Sequence, residues 1–205
     1  MNNPAPSPLV SVIMPCYNSA GLIRPAVESI LKQTYRNIEI ILIDDGSSDS
    51  TPDILQEYVR QDSRIRFFRN ETNRKLIYTL NLAVSMATGE FLMRMDADDI
   101  SDPDRIEKQL QFMFQHPEAD ACSAGHRFID MKGRVVGHHI PKTTLPNALR
   151  FQSFFSTPMI HPVTFGKTEI FKNNPYDPDF IHSEDYELFS RLLQIREASI
   201  RNGHI

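Results

Sequence analysis

Phe91-Leu92-Met93-Arg94-Met95-Asp96-Ala97-Asp98-Asp99 is an apolar, strand-like run that ends in three carboxylates within four residues. Side chains alternate between the faces of a strand, so an extended backbone carried past Met95 would aim Asp96 and Asp98 the same way. Two carboxylates that close repel each other unless a proton or a cation lies between them. Hard divalent cations take such oxygens, and Mg2+ commonly uses one or two carboxylates together with substrate phosphates. The alternative is an acidic start to the next helix, whose dipole favours negative charge. That helix already has Ser101 and Asp102 as cap candidates and Pro103 for its first turn, so Asp96, Asp98 and Asp99 are surplus. The run therefore predicts a metal–phosphate site at the end of a strand.

Upstream, residues 9–14 read as a buried strand stopped by Pro15, and residues 38–43 as a second one that leads into Asp44-Asp45-Gly46-Ser47-Ser48-Asp49. Helical spacing fills the intervals. Leu22, Ile23, Ala26, Val27, Ile30 and Leu31 share a face over 21–32, and Ile54, Leu55, Tyr58 and Val59 share one after Thr51-Pro52. A short strand at 65–68 and a helix over 76–87 follow, the helix ended by Gly89. This alternation indicates an α/β fold with an open, mostly parallel sheet flanked by helices. Right-handed crossovers place the strand C-terminal ends along one edge, outside which open α/β sheets bind ligands. Pro15-Cys16-Tyr17-Asn18, Asp44-Asp45-Gly46-Ser47 and Asp96-Ala97-Asp98-Asp99 each follow a strand directly, so all three are expected there.

The second half is less regular. A helix is expected over 104–115, a strand over 119–124 and a hairpin turning at Lys132-Gly133. Phe151, Phe154 and Phe155 are assigned to the core, residues 159–165 to a strand, and 184–193 to a final helix with Leu188, Phe189, Leu192 and Leu193 inward.

Composition narrows the functional classes. The chain is long enough for a substantial core, and 40% hydrophobic with 23% charged residues is ordinary for a globular protein. A net charge of −4 leaves no basic surplus for nucleic acid. Cys16 and Cys122 lie far apart in apolar runs, which reads as two buried free thiols in a reducing compartment. Residues 1–8 form a proline-rich leader expected to be disordered and without the pattern of a signal peptide, and no apolar stretch would span a bilayer. A cytoplasmic protein is expected, with peripheral contact at the inner face of the membrane left open.

Gly46 lets the backbone turn sharply beside a ligand, and a carboxylate at Asp45 can accept a hydrogen bond from a base or ribose; the competing reading is an Asx-type turn. Tyr17 can stack on a base or simply pack. Glu184-Asp185 can serve the dipole of the last helix or supply a general base at its start. His161 and His182 read more readily as local hydrogen-bonding groups than as ligands. The chain contains no GxGxxG, no GxxxxGK[ST] and no GxSxG, which removes the dinucleotide fingerprint, the P-loop and the hydrolase elbow.

Taken in order, Pro15-Cys16-Tyr17-Asn18, Asp44-Asp45-Gly46-Ser47, Asp96-Ala97-Asp98-Asp99 with Pro103-Asp104-Arg105, and Ser183-Glu184-Asp185-Tyr186 resemble family 2 glycosyltransferases of the GT-A fold over about residues 9–195. The resemblance implies one domain with a nucleotide-binding half at about 9–100 and an acceptor-side half at about 101–205. It implies that Pro15, Tyr17 and Asp45 line the nucleoside pocket and that Asp96 faces ribose or metal. Asp98, or Asp99 in patterns shifted by one, would ligate Mn2+ or Mg2+. Asp185 would be the base in an inverting transfer from a nucleotide-diphosphate sugar, UDP-sugars favoured, to a glycan or lipid-linked hydroxyl acceptor in cell-surface glycan assembly.

The chain also departs from the family. Arg74-Lys75 stands where members often carry Gly after Asn73. The Gln-x-x-Arg-Trp motif of processive synthases is missing, and the chain ends soon after the candidate base, which implies a truncated acceptor side. Two other classes stand against this reading: a nucleotide-sugar-binding module without turnover, and a nucleotidyltransferase, which needs a glycine-rich basic loop that Pro15-Cys16-Tyr17-Asn18 does not supply.

Overall fold

Val, Ile and Leu dominate two stretches so completely that each can only lie inside a sheet covered on both faces. These are β1 (Val10–Cys16) and β2 (Ile38–Asp44), every residue of which is buried. The structure, a computed structural model, describes residues 7–140, 146–194 and 200–202; the leader expected at 1–8 lies outside them up to residue 6. In chain order β1 is followed by α1 (Ile23–Leu31), β2, α2 (Thr51–Gln61), β3 (Ile65–Arg69), α3 (Leu76–Met86), β4 (Phe91–Arg94) and α4 (Arg105–Gln115). Then come β5 (Ala121–Ser123), β6 (His126–Ile129), β7 (Val135–His139), α5 (Pro146–Gln152) and a 3-10 turn at His161–Val163. The last elements are β8 (Phe165–Lys167), α6 (Thr168–Asn173), α7 (Glu184–Gln194) and β9 (Ile200–Asn202).

Seven strands form one sheet in the order β3-β2-β1-β4-β8-β5-β9. Among the described residues of this sheet only β8 runs against its neighbours, β4 and β5, and the other pairings in it are parallel. Period-two alternation sends Val12, Met14, Ile40 and Leu42 toward α1, α2 and α4, and Ile13, Ile41 and Ile43 toward α3 and α7. The expected α/β architecture is present, and it sets the C-terminal ends of β1, β2 and β4 side by side. β6 and β7 make the expected hairpin, with Gly133 at φ +75° in its turn. Cys16 and Cys122 are buried free thiols, each pushed up above the ordinary thiol range first of all by burial.

Four local expectations are corrected. β1 does not stop at Pro15 but continues through it to Cys16 beside β2. The β1–β4 ladder ends at Ile13–Arg94, so the N–H that Pro15 lacks has no strand to meet. Residues 159–165 are not a strand: Pro162 sits in the 3-10 turn, and pairing begins only at Phe165. Phe151, Phe154 and Phe155 are not core but 68%, 73% and 76% exposed. The short α5 segment turns Leu149 and Ser153 inward, four residues apart, and the phenylalanines fall on the other side. Finally, neither Ser101 nor Asp102 caps α4: Ser101 accepts from Arg105 at 3.1 Å, and Asp102 pairs with Arg127.

Candidate active site

The first two strand ends are laced together. The Asp45 N–H donates to the Cys16 carbonyl at 2.8 Å, the Asn18 N–H to Ser47 Oγ at 2.8 Å, and the Ser48 N–H back to Asn18 Oδ1 at 3.0 Å. Asn18 itself takes φ +47°. Gly46 takes φ +71°, and a Cβ there would lie 2.6 Å from the Thr72 carbonyl carbon, so the loop after β3 closes on a bare backbone. Asp44 makes the Asx-type turn, its Oδ2 accepting from the Ser47 N–H at 3.2 Å and facing Arg69 Nε at 3.1 Å, while its buried Oδ1 has no partner. Asp45 Oδ1 accepts from Asn70 Nδ2 at 2.7 Å and from the Arg74 N–H at 2.8 Å. Pro15 is buried beneath these loops and the Tyr17 ring is half exposed.

At the end of β4 the chain does not stay extended. The Asp99 N–H donates to the Asp96 carbonyl at 3.3 Å, so Ala97 and Asp98 form a turn, and Asp96 and Asp98 do not share a strand face. Asp96 is gripped by Arg94, with Nη1 to Oδ2 at 2.7 Å and Nη2 to Oδ1 at 2.5 Å. Burial pushes the Asp96 carboxyl up, Arg94 pulls it down, and Asp98 pushes it up again. Burial, then Asp96 and Asp98, push Asp99 up to about 6.

This crowding suits a divalent cation, whose charge relieves repulsion between carboxylates. Among the described residues no three His, Cys, Asp or Glu side chains are grouped to hold a metal by themselves. With both Asp96 oxygens on Arg94, Asp98 and Asp99 remain as donors. That set fits a hard cation that completes its shell with phosphate oxygens and water.

The start of α7 forms the other wall. His182 at φ +64° and a turn from Phe180 to Ser183 lead into it; Glu184 is buried, and half-buried Asp185 accepts from the Tyr186 N–H at 2.7 Å. A line of contacts joins α7 to the strand ends: the Arg94 N–H donates to the Thr164 carbonyl at 3.0 Å, and the His161 ring three residues earlier meets Phe189 of α7 edge-on at 6.0 Å. Burial pushes the Tyr176 hydroxyl up, Arg94 pulls it down, and Asp185, Glu184 and Asp96 add to the rise. The candidates Pro15, Tyr17, Asp45, Asp96, Asp98 and Asp99 thus lie at the C-terminal ends of β1, β2 and β4, while Asp185 stands in the first turn of α7, the helix that packs on one face of the same sheet. A hollow of about 410 Å3 at the opposite end of β4 is lined by Lys167 and Lys172, which are engaged by Asp120 and by the Ala87 carbonyl.

Sequence reasoning passed over Arg94 and Tyr176. Arg94 carried a usable signal, since an arginine two residues before an aspartate in a strand shares its face. His161 makes a hydrogen bond inside the protein, its Nε2 lying 2.8 Å from the hydroxyl of Tyr176, a partner on a later element of the chain.

The sequence profile of glycosyl transferase family 2 matches residues 11–177. The chain belongs to this family. Among its relatives, an uncharacterized glycosyltransferase of Methanocaldococcus jannaschii is 32% identical over 188 residues, covering 91% of this chain and 65% of the relative. The Escherichia coli enzyme named UDP-Glc:alpha-D-GlcNAc-diphosphoundecaprenol beta-1,3-glucosyltransferase WfgD is 32% identical over 196 residues, covering 95% of this chain and 73% of WfgD. The chain spans 65% and 51% of the length of the first two curated relatives, the second being the putative glycosyltransferase EpsE of Bacillus subtilis.

Two solved structures share the GT-A fold of this family 2 glycosyltransferase. S. aureus TarS 1–349 in complex with UDP superposes with a TM-score of 0.76 at 24% identity, covering 95% of this chain and 57% of that one. Mannosyltransferase PcManGT from Pyrobaculum calidifontis, in complex with GDP-Man and Mn2+, gives 0.75 at 21%, covering 98% and 56%. Asp185 lies just beyond the span matched by the family profile. Among the described residues no helix is long and apolar enough to cross a membrane.

Proposed function

We propose that this family 2 glycosyltransferase moves a sugar, with inversion, from a nucleotide-diphosphate donor to a hydroxyl acceptor in cell-surface glycan assembly, at the cytoplasmic face of the membrane. The observation that carries this reading is a line of contacts from the strand ends to α7: the Asp45 N–H on the Cys16 carbonyl at 2.8 Å, the Arg94 N–H on the Thr164 carbonyl at 3.0 Å, and the His161 ring edge-on to Phe189 of α7 at 6.0 Å. A donor at the strand ends and a base on α7 would therefore face each other across one cleft.

The donor half, about residues 9–100, would hold the nucleoside among Pro15, Tyr17 and Asp45, with the ribose toward Asp96. UDP is the favoured nucleotide, in line with the UDP-bound TarS structure and the UDP-Glc named for WfgD. Asp98 and Asp99 would hold Mn2+ or Mg2+, which supplies positive charge against the departing diphosphate. In the acceptor-side half, about 101–205, Asp185 takes the proton from the acceptor hydroxyl as its oxygen attacks the anomeric carbon. The bond from that carbon to the diphosphate oxygen breaks in the same step, and the nucleoside diphosphate leaves. One base, with no evident nucleophile among the described residues, suits a single displacement. The diphosphoundecaprenol acceptor in the name of WfgD supports a lipid-linked acceptor here.

Calorimetry with UDP and GDP, with and without Mn2+, tests the donor site. UDP binding is expected to need the metal, and Asp98→Ala to weaken it on the order of 100-fold. Unchanged affinity in that variant would remove the metal assignment. Asp185→Asn is expected to keep UDP affinity within about twofold while sugar transfer stops. Transfer that survives would exclude Asp185 as the base, and binding without transfer in the unaltered chain would favour a binding module.

A further inference from the structure

Arg94 is a full positive charge in the middle of the sheet, its side chain only 4% exposed, while that of its partner Asp96 is 34% exposed. A buried charge must be paired, and a buried ion pair by itself adds little stability over apolar residues of the same size. What this pair does that an apolar one could not is present a fixed carboxylate at the mouth of the site. The two-pronged contact spans residues i and i+2 of one strand end, so little chain entropy is lost in forming it. The strand position is itself pinned: the Arg94 N–H donates to the Thr164 carbonyl at 3.0 Å, and its carbonyl accepts from Arg105 Nη2 at 2.9 Å.

Behind the fork stands a second buried pair. The Tyr176 hydroxyl and His161 Nε2 are 2.8 Å apart, and the His161 ring meets Phe189 of α7 edge-on at 6.0 Å. Asn81 of α3 clamps the Tyr176 backbone at both its N–H and its carbonyl, each at 2.9 Å. Burial and the nearby Arg94 charge hold His161 well below its ordinary range, so the pair stays neutral beside the guanidinium.

We propose that Arg94 is a positioning residue for the donor end of the site: its guanidinium fork fixes the Asp96 carboxylate in one orientation. The inference rests on the reading of Asp96 as a donor contact. Lysine keeps the charge but cannot make the fork. Arg94→Lys is therefore expected to weaken Mn2+-dependent UDP binding about tenfold or more. In an Asp96→Asn background the same substitution is expected to cost nothing further, because Arg94 acts through Asp96. Equal losses in both backgrounds, or unchanged affinity in Arg94→Lys, would overturn the proposal.

A second measurement needs no donor. In the unliganded protein the Arg94 guanidinium protons are expected to exchange slowly by NMR, and fast in Asp96→Asn. Fast exchange in the unaltered protein would overturn the fork. Slow exchange there, with no UDP bound by the same protein, would instead count against the donor-site reading.

Discussion

Lys75 takes φ 71° and ψ 163° just before α3, a backbone region that is essentially the preserve of glycine and costs other residues about 1–3 kcal/mol. Its neighbours hold it there: the Arg74 N–H is bonded to Asp45, the Arg74 guanidinium lies 4.3 Å above the Tyr78 ring, and the Lys75 N–H donates to Asn73 Oδ1. The loop takes a shape suited to glycine with a lysine in place. Lys75→Gly should therefore raise stability by roughly 1 kcal/mol, the relieved strain less the added freedom of the unfolded chain; Lys75→Ala should not. Paired thermal melts decide it. Tyr176→Phe should cost about 1–2 kcal/mol, since His161 would lose its buried partner. A loss below about 0.3 kcal/mol in denaturant titration would show that another group satisfies the imidazole. Asp45, Asp96 and Asp98 were legible in the sequence because carboxylates at the ends of apolar runs stand out. Tyr176 was not, because its significance lies in Asn81, Arg94 and His161, all distant in the chain.

At the scale of elements, legibility followed length. β1, β2 and the helices α1 to α4 carry enough residues for their period to show, and each appears within a few residues of its expected place. β8 and β9 are three residues each, too short for any period, and are recognised only by what they pair with, whereas the equally short β5 lies inside the apolar run expected as a strand over 119–124. The misplaced phenylalanines have the same origin: aromatic content signalled burial, but a segment as short as α5 can bury only one stripe. Phe154→Ser and Phe155→Ser should consequently change stability by no more than about 0.5 kcal/mol each, whereas Leu149→Ala, fully buried against α7, should cost about 2–5 kcal/mol. Equal losses at the three positions would return the phenylalanines to the core.

Across the whole molecule, the sheet edge opposite the site is fastened by one carboxylate. Glu39 on β2 accepts from Ser11 Oγ on β1 at 2.6 Å, from the Thr88 N–H and hydroxyl ahead of β4 at 2.6 and 2.7 Å, and from Arg66 on β3 at 2.8 Å. Burial pushes its carboxyl up, but these donors outweigh burial and hold it at about 2. The folded value lies below the unfolded one, so the stabilisation is complete above the ordinary glutamate range near 4.5 and fades as the pH falls toward 2. The amount is roughly 3 kcal/mol, and Glu39→Gln should flatten the stability curve over that window. β8 joins β4 to β5 yet is translated after both. While β1 to β4 can pair as they leave the ribosome, the free side of β4 waits for residue 165, on the order of several seconds at ~5–20 residues per second. During that interval the nascent chain offers an unpaired strand edge, and chaperone capture or misassembly would concentrate there.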